Sequence, residues 1–122
     1  MSAFLDANVL LEVLLPGRLK AKMAAKYIQR ESVVSPLTAH LYVYFGKKEG
    51  FPLDALMRNL ALLSFTDLGD AEVRWAIANC QGDDFEDALQ VACAVTYGCE
   101  EFVTLDRSLV QRYDRYIKVK HL

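Results

Sequence analysis

Four aspartates occupy positions where a chain of alternating strands and helices could bring carboxylates together. Asp6 closes an apolar run near the N-terminus, and Asp106 follows the apolar run 102–104. Asp84 and Asp87 are three residues apart at the start of a helical pattern, so they share one helix face. Carboxylates that converge repel one another unless they are protonated or hold a cation. Oxygen ligands with few His or Cys nearby favour Mg²⁺ or Mn²⁺, which activate water and stabilise a phosphodiester during cleavage.

Each acid taken alone also has an ordinary structural interpretation. Asp6 or Asn8 could cap the first helix, and Asp106 could simply shape the turn after a strand. Asp83 with Glu86 fits a capping box, and acids in a first helical turn favour the helix dipole. The functional interpretation depends on their shared placement, because ligands of open α/β sheets bind beyond the carboxyl ends of the strands.

The elements that must position these acids alternate along the chain. Strands are predicted at 3–6, 31–35, 63–67, 101–104 and 116–119. Helices are predicted at 8–15 with Asn8 as N-cap, and at 19–29, 36–46, 53–62, 70–80, 84–97 and 109–113. Pro36 suits a first helical position, and Gly98 is typical of a helix end. Strands separated by helices predict an α/β fold with a parallel sheet covered on both faces.

Length and composition limit the classes of protein. The 122 residues carry a formal net charge of −2 and are 53 % hydrophobic, which predicts one domain over 1–122 with a real core and argues against disorder. No apolar stretch reaches about 18 residues, so a membrane-spanning helix is excluded. The N-terminus has no basic segment, and Asp6 and Glu12 interrupt its apolar positions, which disfavours a secretory signal. Cys80, Cys93 and Cys99 lack paired metal-ligand spacing and favour free thiols in a reducing cytoplasm.

The near-zero net charge conceals an uneven distribution. Residues 67–106 carry ten acidic side chains and one basic one, whereas the last sixteen carry five basic and one acidic. Residues 1–50 carry seven basic and four acidic side chains. One interpretation is ordinary solvated helix faces. The other is an acidic metal pocket bordered by surfaces that hold phosphates, with basic candidates at Lys20, Lys22, Lys26, Arg30, Arg107, Arg112 and Arg115.

Three segments follow one another along the chain in a recognisable order: Phe4-Leu5-Asp6-Ala7-Asn8-Val9-Leu10-Leu11, Asp84-Phe85-Glu86-Asp87-Ala88-Leu89-Gln90 and Val103-Thr104-Leu105-Asp106. Together they resemble the PIN domain family, most closely its small bacterial VapC-like members. The resemblance extends over essentially the whole chain and implies a three-layer α/β/α fold with a central, mostly parallel sheet. It also implies a Mg²⁺- or Mn²⁺-dependent ribonuclease, often a toxin neutralised by a small antitoxin, that usually forms a homodimer.

The resemblance assigns roles to individual residues. The metal-binding acids of the family correspond to Asp6, Asp87 and Asp106, with Asp84 as a commonly accompanying acid. Polar supporting residues of the family correspond to Asn8 and Thr104, and Glu12 matches a frequent acid at the rim of the site.

One part of the family pattern is missing. The family places a Glu six residues beyond a small polar residue, and counting from Ser35 puts Leu41 at that position. No acid occurs between Glu31 and Glu49. His40 is adjacent and could enter the site only after a register slip, because one helical position rotates a side chain by about 100°. The change removes one negative ligand or water-orienting group.

The sequence thus favours a metal-dependent endoribonuclease of the PIN type over two other classes of protein. A degenerate PIN domain that binds RNA or a protein without cutting is favoured by Leu41. A phospho-acceptor receiver domain is a third α/β class with clustered acids. It requires adjacent acids after the first strand, and the segment Asp6-Ala7-Asn8 does not provide them.

Overall fold

A central parallel sheet organises the chain. The structure, a computed structural model, describes residues 2–28 and 32–122. Its strands are β1 (Ala3–Leu5), β2 (Ser32–Val34), β3 (Ser64–Phe65), β4 (Glu101–Thr104) and β5 (Lys118–His121). Every pair of neighbouring strands is parallel, and the order across the sheet is β3-β2-β1-β4-β5. Because β1 lies between β2 and β4, the chain leaves the middle of the sheet directly after Leu5.

Helices cover both faces of the sheet, which confirms the predicted three-layer α/β/α fold. Side chains of β1 alternate between the two faces: Phe4 packs with the core under the helices between residues 70 and 113, whereas Leu5 packs with the core under the helices between residues 7 and 60. Within the described ranges the helices are α1 (Ala7–Leu14), α2 (Ala21–Ile28), α3 (Pro36–Lys48), α4 (Leu53–Leu60), α5 (Asp70–Asn79), α6 (Phe85–Tyr97) and α7 (Ser108–Tyr113).

Helix α6 is held deep against the sheet by its small inward-facing residues. Ala88 and Ala92 are fully buried, as is Val91 between them. Asp84 is the N-cap of α6, and Gly98 ends the helix in the left-handed conformation with a φ of 90°, as predicted. The close packing fixes where the first turn of α6, with its acidic residues, meets the carboxyl edge of the sheet.

One predicted helix cap is wrong, and for another the structure decides between the two candidate residues. The N-cap of α1 is Asp6, whose side chain accepts from the Ala7 amide, rather than Asn8. The cause is that β1 ends at Leu5 and the chain turns at once. The N-cap of α6 is Asp84 and not Asp83, so the predicted capping box of Asp83 with Glu86 is wrong. The side chain of Asp84 accepts from the amides of Glu86 and Asp87.

Other predicted boundaries shift by one or two residues. Strand β5 begins two residues later than predicted, because the amides of Tyr116 and Ile117 bond back to the Tyr113 carbonyl and prolong the turn of α7. The predictions for 19–29 and 31–35 include residues 29 and 31, which lie outside the described residues. None of the helices in the described ranges is long and apolar enough to cross a membrane.

Candidate active site

Asp6 is a buried carboxylate at the carboxyl end of the central strand. Its side chain is only 5 % exposed. Oδ1 accepts a 2.8 Å hydrogen bond from the Ala7 amide, and Oδ2 accepts one of 2.9 Å from Oγ1 of Thr104. Burial nevertheless raises the pKa of Asp6 to about 6, and the charges of Glu86 and Asp106 add to the rise. Hydrogen bonds therefore fix the position of Asp6, while its burial disfavours the ionised form of the carboxyl group when no cation is bound.

Thr104 connects Asp6 to the loop after β4. Its fully buried hydroxyl donates to Asp6 and accepts a 3.0 Å hydrogen bond from the Asp106 amide. Oδ1 of Asp106 accepts from both the amide and the hydroxyl of Ser108, at 2.9 and 2.7 Å. The other oxygen of Asp106 has no partner among residues 2–28 and 32–122, so it is available to a ligand.

Asp87 has the most strongly perturbed carboxylate of the group. Its pKa is raised to about 7, and burial is the largest cause. The negative charges of neighbouring acids raise the pKa further, in decreasing order Asp84, Asp6, Asp106 and Glu86. Because each of these acids acts on Asp87, the first turn of α6 and the ends of β1 and β4 face one space. Asp6, Asp84 and Asp106 thus lie close enough to Asp87 for their charges to raise its pKa.

Asp84 has a second role as the N-cap of α6. Its Oδ1 accepts from the amides of Glu86 and Asp87 at 2.9 and 3.4 Å. Its side chain is exposed, in contrast to that of Asp6. Asp84 therefore anchors the first turn and adds negative charge beside Asp87.

Glu86 is a fifth acid that sequence reasoning assigned only to helix capping. Burial and the charge of Asp84 raise its pKa, and its own charge raises the pKa of both Asp6 and Asp87. The sequence signal was its position in the same first turn as Asp87. The direction in which the Glu86 side chain points depends on how α6 is rotated against the sheet.

That rotation is fixed by a buried polar cluster one turn further along α6. Oε1 of Gln90 accepts a 2.6 Å hydrogen bond from Oγ of Ser35, and its Nε2 donates to Oγ1 of Thr38 at 2.8 Å. All three side chains are at most 1 % exposed. Ser35 is also the N-cap of α3, so the cluster ties α6 to the start of α3 across the sheet edge. Gln90 lies three residues after Asp87 and therefore on a neighbouring part of the same face.

The donor set fits a hard divalent cation in its chemistry. The ion pairs of the described residues are Arg58–Asp54, Arg74–Asp70 and Lys118–Glu101, and none of them involves the site. Burial of carboxylates without a cationic partner is unfavourable unless they take up a proton or a metal ion. In the part of the chain that the structure describes, no three His, Cys, Asp or Glu side chains form a ready-made ligand group.

The remaining candidates lie around this space or away from it. Asn8 and Glu12 line a cleft on α1 that also includes Asp106, so they lie at the rim. Leu41 is half-buried in α3. His40 is exposed and stacks on Tyr44, with the ring centroids 6.3 Å apart.

Comparison with known proteins agrees with this architecture. The sequence model of the PIN domain matches residues 2–108. A chain from a toxin-antitoxin complex of Klebsiella pneumoniae superimposes with a TM-score of 0.77 at 20 % identity, covering 96 % of this chain and 94 % of that one. No curated protein matches the chain.

Two further solved structures are similar at lower identity. VapC20 of Mycobacterium tuberculosis, described as a sarcin-ricin loop cleaving toxin, has a TM-score of 0.72 at 11 % identity over 97 % of this chain and 98 % of that one. VapBC2 of Rickettsia felis, bound to promoter DNA, has a TM-score of 0.68 at 11 % identity over 99 % and 98 %. These likenesses establish the fold. Since the family match also spans most of the chain, the protein belongs to the PIN domain family.

Proposed function

We propose that this protein is a divalent-metal-dependent endoribonuclease of the PIN type. The supporting observation is the convergence of Asp6, Asp87 and Asp106 at one sheet edge, where burial and mutual repulsion raise the pKa of Asp6 to about 6 and of Asp87 to about 7. These three carboxylates would hold Mg²⁺ or Mn²⁺. When bound, the ion would supply Lewis-acid stabilisation of the phosphate and activation of water.

The chain's own groups orient the carboxylates. Thr104 and the Ala7 amide hold the two oxygens of Asp6, and each oxygen retains a second lone pair for a ligand. Ser108 holds one oxygen of Asp106 and leaves the other open. Asp84 fixes the first turn of α6 and adds negative charge beside Asp87.

We also propose that the protein is the toxin of a toxin-antitoxin pair and works on RNA in the cytoplasm. The structures it resembles include a toxin-antitoxin complex, a VapBC complex and a toxin that cleaves the sarcin-ricin loop. A small antitoxin protein is the corresponding partner. A homodimer is the proposed assembly, because α3, α4 and the residues after α4 carry exposed apolar side chains: Tyr44, Phe45, Leu53, Met57 and Leu62.

A catalytically degenerate PIN domain that binds RNA or protein is the second candidate. The observation that favours it is Leu41, which stands where the family has a Glu. Helix α3 carries no acidic residue anywhere between Pro36 and Lys48. The binding-module proposal expects nucleic-acid or protein binding without metal-dependent hydrolysis.

RNA cleavage in Mg²⁺, Mn²⁺ and EDTA tests the nuclease proposal. The native protein should cleave with either metal and not in EDTA, and Asp87→Asn should lose the activity. Asp54→Asn is a matched control, because Asp54 lies on α4 in an exposed ion pair with Arg58. Cleavage that persists in EDTA or in Asp87→Asn would refute the metal mechanism, and metal-stimulated cleavage would exclude the binding-only candidate.

Thermal melts test the metal site separately from turnover. At a Mn²⁺ concentration about 100 times Kd, linkage predicts roughly 2.7 kcal/mol of added stability. Asp87→Asn should lose most of this gain, and Asp54→Asn should keep it. Identical melts in saturating Mn²⁺ and EDTA would count against a metal site.

A further inference from the structure

A cleft of about 450 Å³ opens beside the acidic site, between α1 and the loop that follows β4. It shares Asp106 and Asn8 with the site. Its volume falls within the range of about 300–1,000 Å³ that is typical of small-molecule sites. A ligand in this cleft would therefore lie next to the carboxylates that we assign to cleavage.

The cleft continues along the loop between α1 and α2. A second hollow of about 470 Å³ is lined by Gly17, Leu19 and Lys20, and it shares Glu12, Arg18 and Leu105 with the first. The two hollows form one groove that starts at Asp106. A groove of this extent accommodates a polymer better than a single small molecule.

One wall of the groove is apolar. Leu11, Leu15 and Leu105 line the first hollow, and each is only partly buried. Flat aliphatic surface of this kind can contact the face of a nucleobase, as apolar and aromatic side chains do in single-strand recognition.

Two polar groups in the groove have unused hydrogen-bonding capacity. The exposed guanidinium of Arg18 makes no hydrogen bond or ion pair with any residue in 2–28 or 32–122. Guanidinium donors match phosphate oxygens in pairs. Oε2 of Glu12 accepts a 3.0 Å hydrogen bond from the Lys20 amide, and its Oε1 has no partner among the described residues. Glu12 is thus held in place with one carboxylate oxygen free, and the residue lines both hollows of the groove.

We propose that this groove binds the nucleotide next to the cleaved phosphate of a single-stranded RNA. Arg18 contacts a backbone phosphate, the leucines contact the base face, and Glu12 accepts a hydrogen bond from an exocyclic amino group such as that of cytosine. The proposal rests on the nuclease function proposed above. A cationic peptide is the competing occupant: Glu12 and Asp106 in the groove would attract it, whereas Arg18 and Lys20 would repel it.

Binding in EDTA tests the groove without requiring cleavage. Fluorescence anisotropy is measured with 5′-labelled pentacytidylate, for the native protein, Arg18→Ala and Arg58→Ala. Arg18→Ala should weaken binding about tenfold and reduce the slope of log K against log salt by about 0.7, as expected for one lost phosphate contact on a single strand. Arg58→Ala removes the same charge from the exposed α4 and should leave Kd within about twofold.

Base preference tests the role of Glu12. The native protein should bind pentacytidylate more tightly than pentauridylate. In Glu12→Gln the amide oxygen can keep the bond to Lys20, and the amide NH₂ then presents a donor to the groove. The preference should therefore shift towards uracil, whose O4 is an acceptor.

The outcomes separate this inference from the proposed nuclease. Equal RNA binding by Arg18→Ala and Arg58→Ala would overturn the groove, and so would an unchanged base preference in Glu12→Gln. Metal-dependent cleavage with either result leaves the nuclease standing. Arg18-dependent binding without any cleavage in Mn²⁺ would support the groove and overturn the nuclease. RNA that does not bind, with a cationic peptide that does, would assign the groove to the peptide.

Discussion

The hydroxyl of Thr104 donates a 2.9 Å hydrogen bond to Oδ2 of Asp6, which directly follows the neighbouring strand β1. The Thr104 oxygen in turn accepts a 3.0 Å bond from the Asp106 amide. Because the hydroxyl has only one proton and Thr104 is fully buried, that proton is committed to Asp6. One side chain therefore sets the position of two acids that are 100 residues apart in the chain.

Replacement of Thr104 by valine should weaken metal binding at neutral pH. The bond from Thr104 lowers the pKa of Asp6, so its loss should raise that pKa above about 6. A proton then competes more strongly with the metal for Asp6. Calorimetric Mn²⁺ titrations should show the largest loss of affinity at pH 6.5 and a smaller loss at pH 8.5. The free energy of unfolding should fall by about 1.5–3 kcal/mol, as for a hydrogen bond to a charged group.

Thr104→Ser is the matched control, because it keeps the hydroxyl and removes only a methyl group. It should retain the Mn²⁺ affinity and the pH dependence of the native protein. A loss of affinity in Thr104→Val that is the same at both pH values would show that the hydroxyl does not act through the pKa of Asp6.

In EDTA, the contribution of Asp6 and Asp87 to stability should fall as the pH rises. Their folded pKa values of about 6 and about 7 lie above the ordinary value of 3.8, so the folded state binds more protons between those limits. The stabilisation that comes from these extra bound protons is fully present below about pH 4, and it is lost as the pH rises through 6 and 7. Urea unfolding of the native protein and Asp87→Asn from pH 4 to 8 measures it.

Asp87→Asn should be more stable than the native protein at pH 8, by roughly 2 kcal/mol once partial exposure of Asp87 is allowed for. The difference should disappear near pH 4. Asp54→Asn, which changes an exposed acid, should show no such pH-dependent difference. A native protein that is at least as stable as Asp87→Asn at pH 8 without metal would contradict the strained carboxylate site.

The location of the acids was predictable because it follows from rules that act locally. Asp6 and Asp106 each follow a strand, parallel strands end at one edge, and the spacing of Asp84 and Asp87 places both in one helical turn. These rules required no knowledge of which side chains touch. The same reasoning placed the N-cap of α1 at Asn8 instead of Asp6, because the end of β1 depends on pairing with β4.

Long-range contacts account for what the sequence did not predict. The bond between Ser35 and Gln90 joins residues 55 apart, and no local pattern signals it. That bond helps set the rotation of α6, which decides whether Glu86 faces Asp6. The roles of Glu86 and Gln90 were therefore visible only in the folded structure.

Replacement of Gln90 by methionine should destabilise the fold and weaken metal binding. The change leaves Oγ of Ser35 and Oγ1 of Thr38 without their buried partner, which should cost about 2–4 kcal/mol in unfolding free energy. Freed rotation of α6 should also lower Mn²⁺ affinity, because Asp87 lies one turn away. Urea unfolding and Mn²⁺ titration measure the two effects.

The double variant Gln90→Met with Ser35→Ala serves as the control. Its stability loss should be smaller than the sum of the two single losses, because each variant breaks the same bond. Additive losses would mean that the Ser35–Gln90 bond does not contribute as the structure indicates.

The protein should be a homodimer that pairs through the apolar surface of α3 and α4. Met57 is 54 % exposed and Leu53 45 %, and their spacing of four residues places them on one face of α4, where an apolar patch is typical of an interaction surface. Light scattering at tens of micromolar should give twice the chain mass, and Met57→Lys should reduce it to the monomer. Val73→Lys is the control on α5, where a similarly exposed side chain lies outside this surface. A native mass of 13.8 kDa would remove the dimer from the proposal.

Replacement of Leu41 by glutamate should increase Mn²⁺ affinity and RNA cleavage. The substitution adds a carboxylate at the position of the family's Glu, and hard-ion affinity follows the number and charge of the ligands. We expect a gain of about tenfold or more in metal affinity. Leu41 is half-buried, so some stability should be lost. His40→Ala should have little effect, because His40 is exposed and stacks on Tyr44.

Leu41→Gln separates charge from shape, since it adds a side chain of the same length without the negative ligand. It should share the stability loss of Leu41→Glu and show none of the gain in metal binding. The alternative register predicts the reverse pattern, in which His40→Ala abolishes cleavage and Leu41→Glu only destabilises. Measurement of all three variants with one RNA substrate distinguishes the two registers. A folded Leu41→Glu that binds Mn²⁺ no better than Leu41→Gln would show that the site does not lack a single ligand at this position.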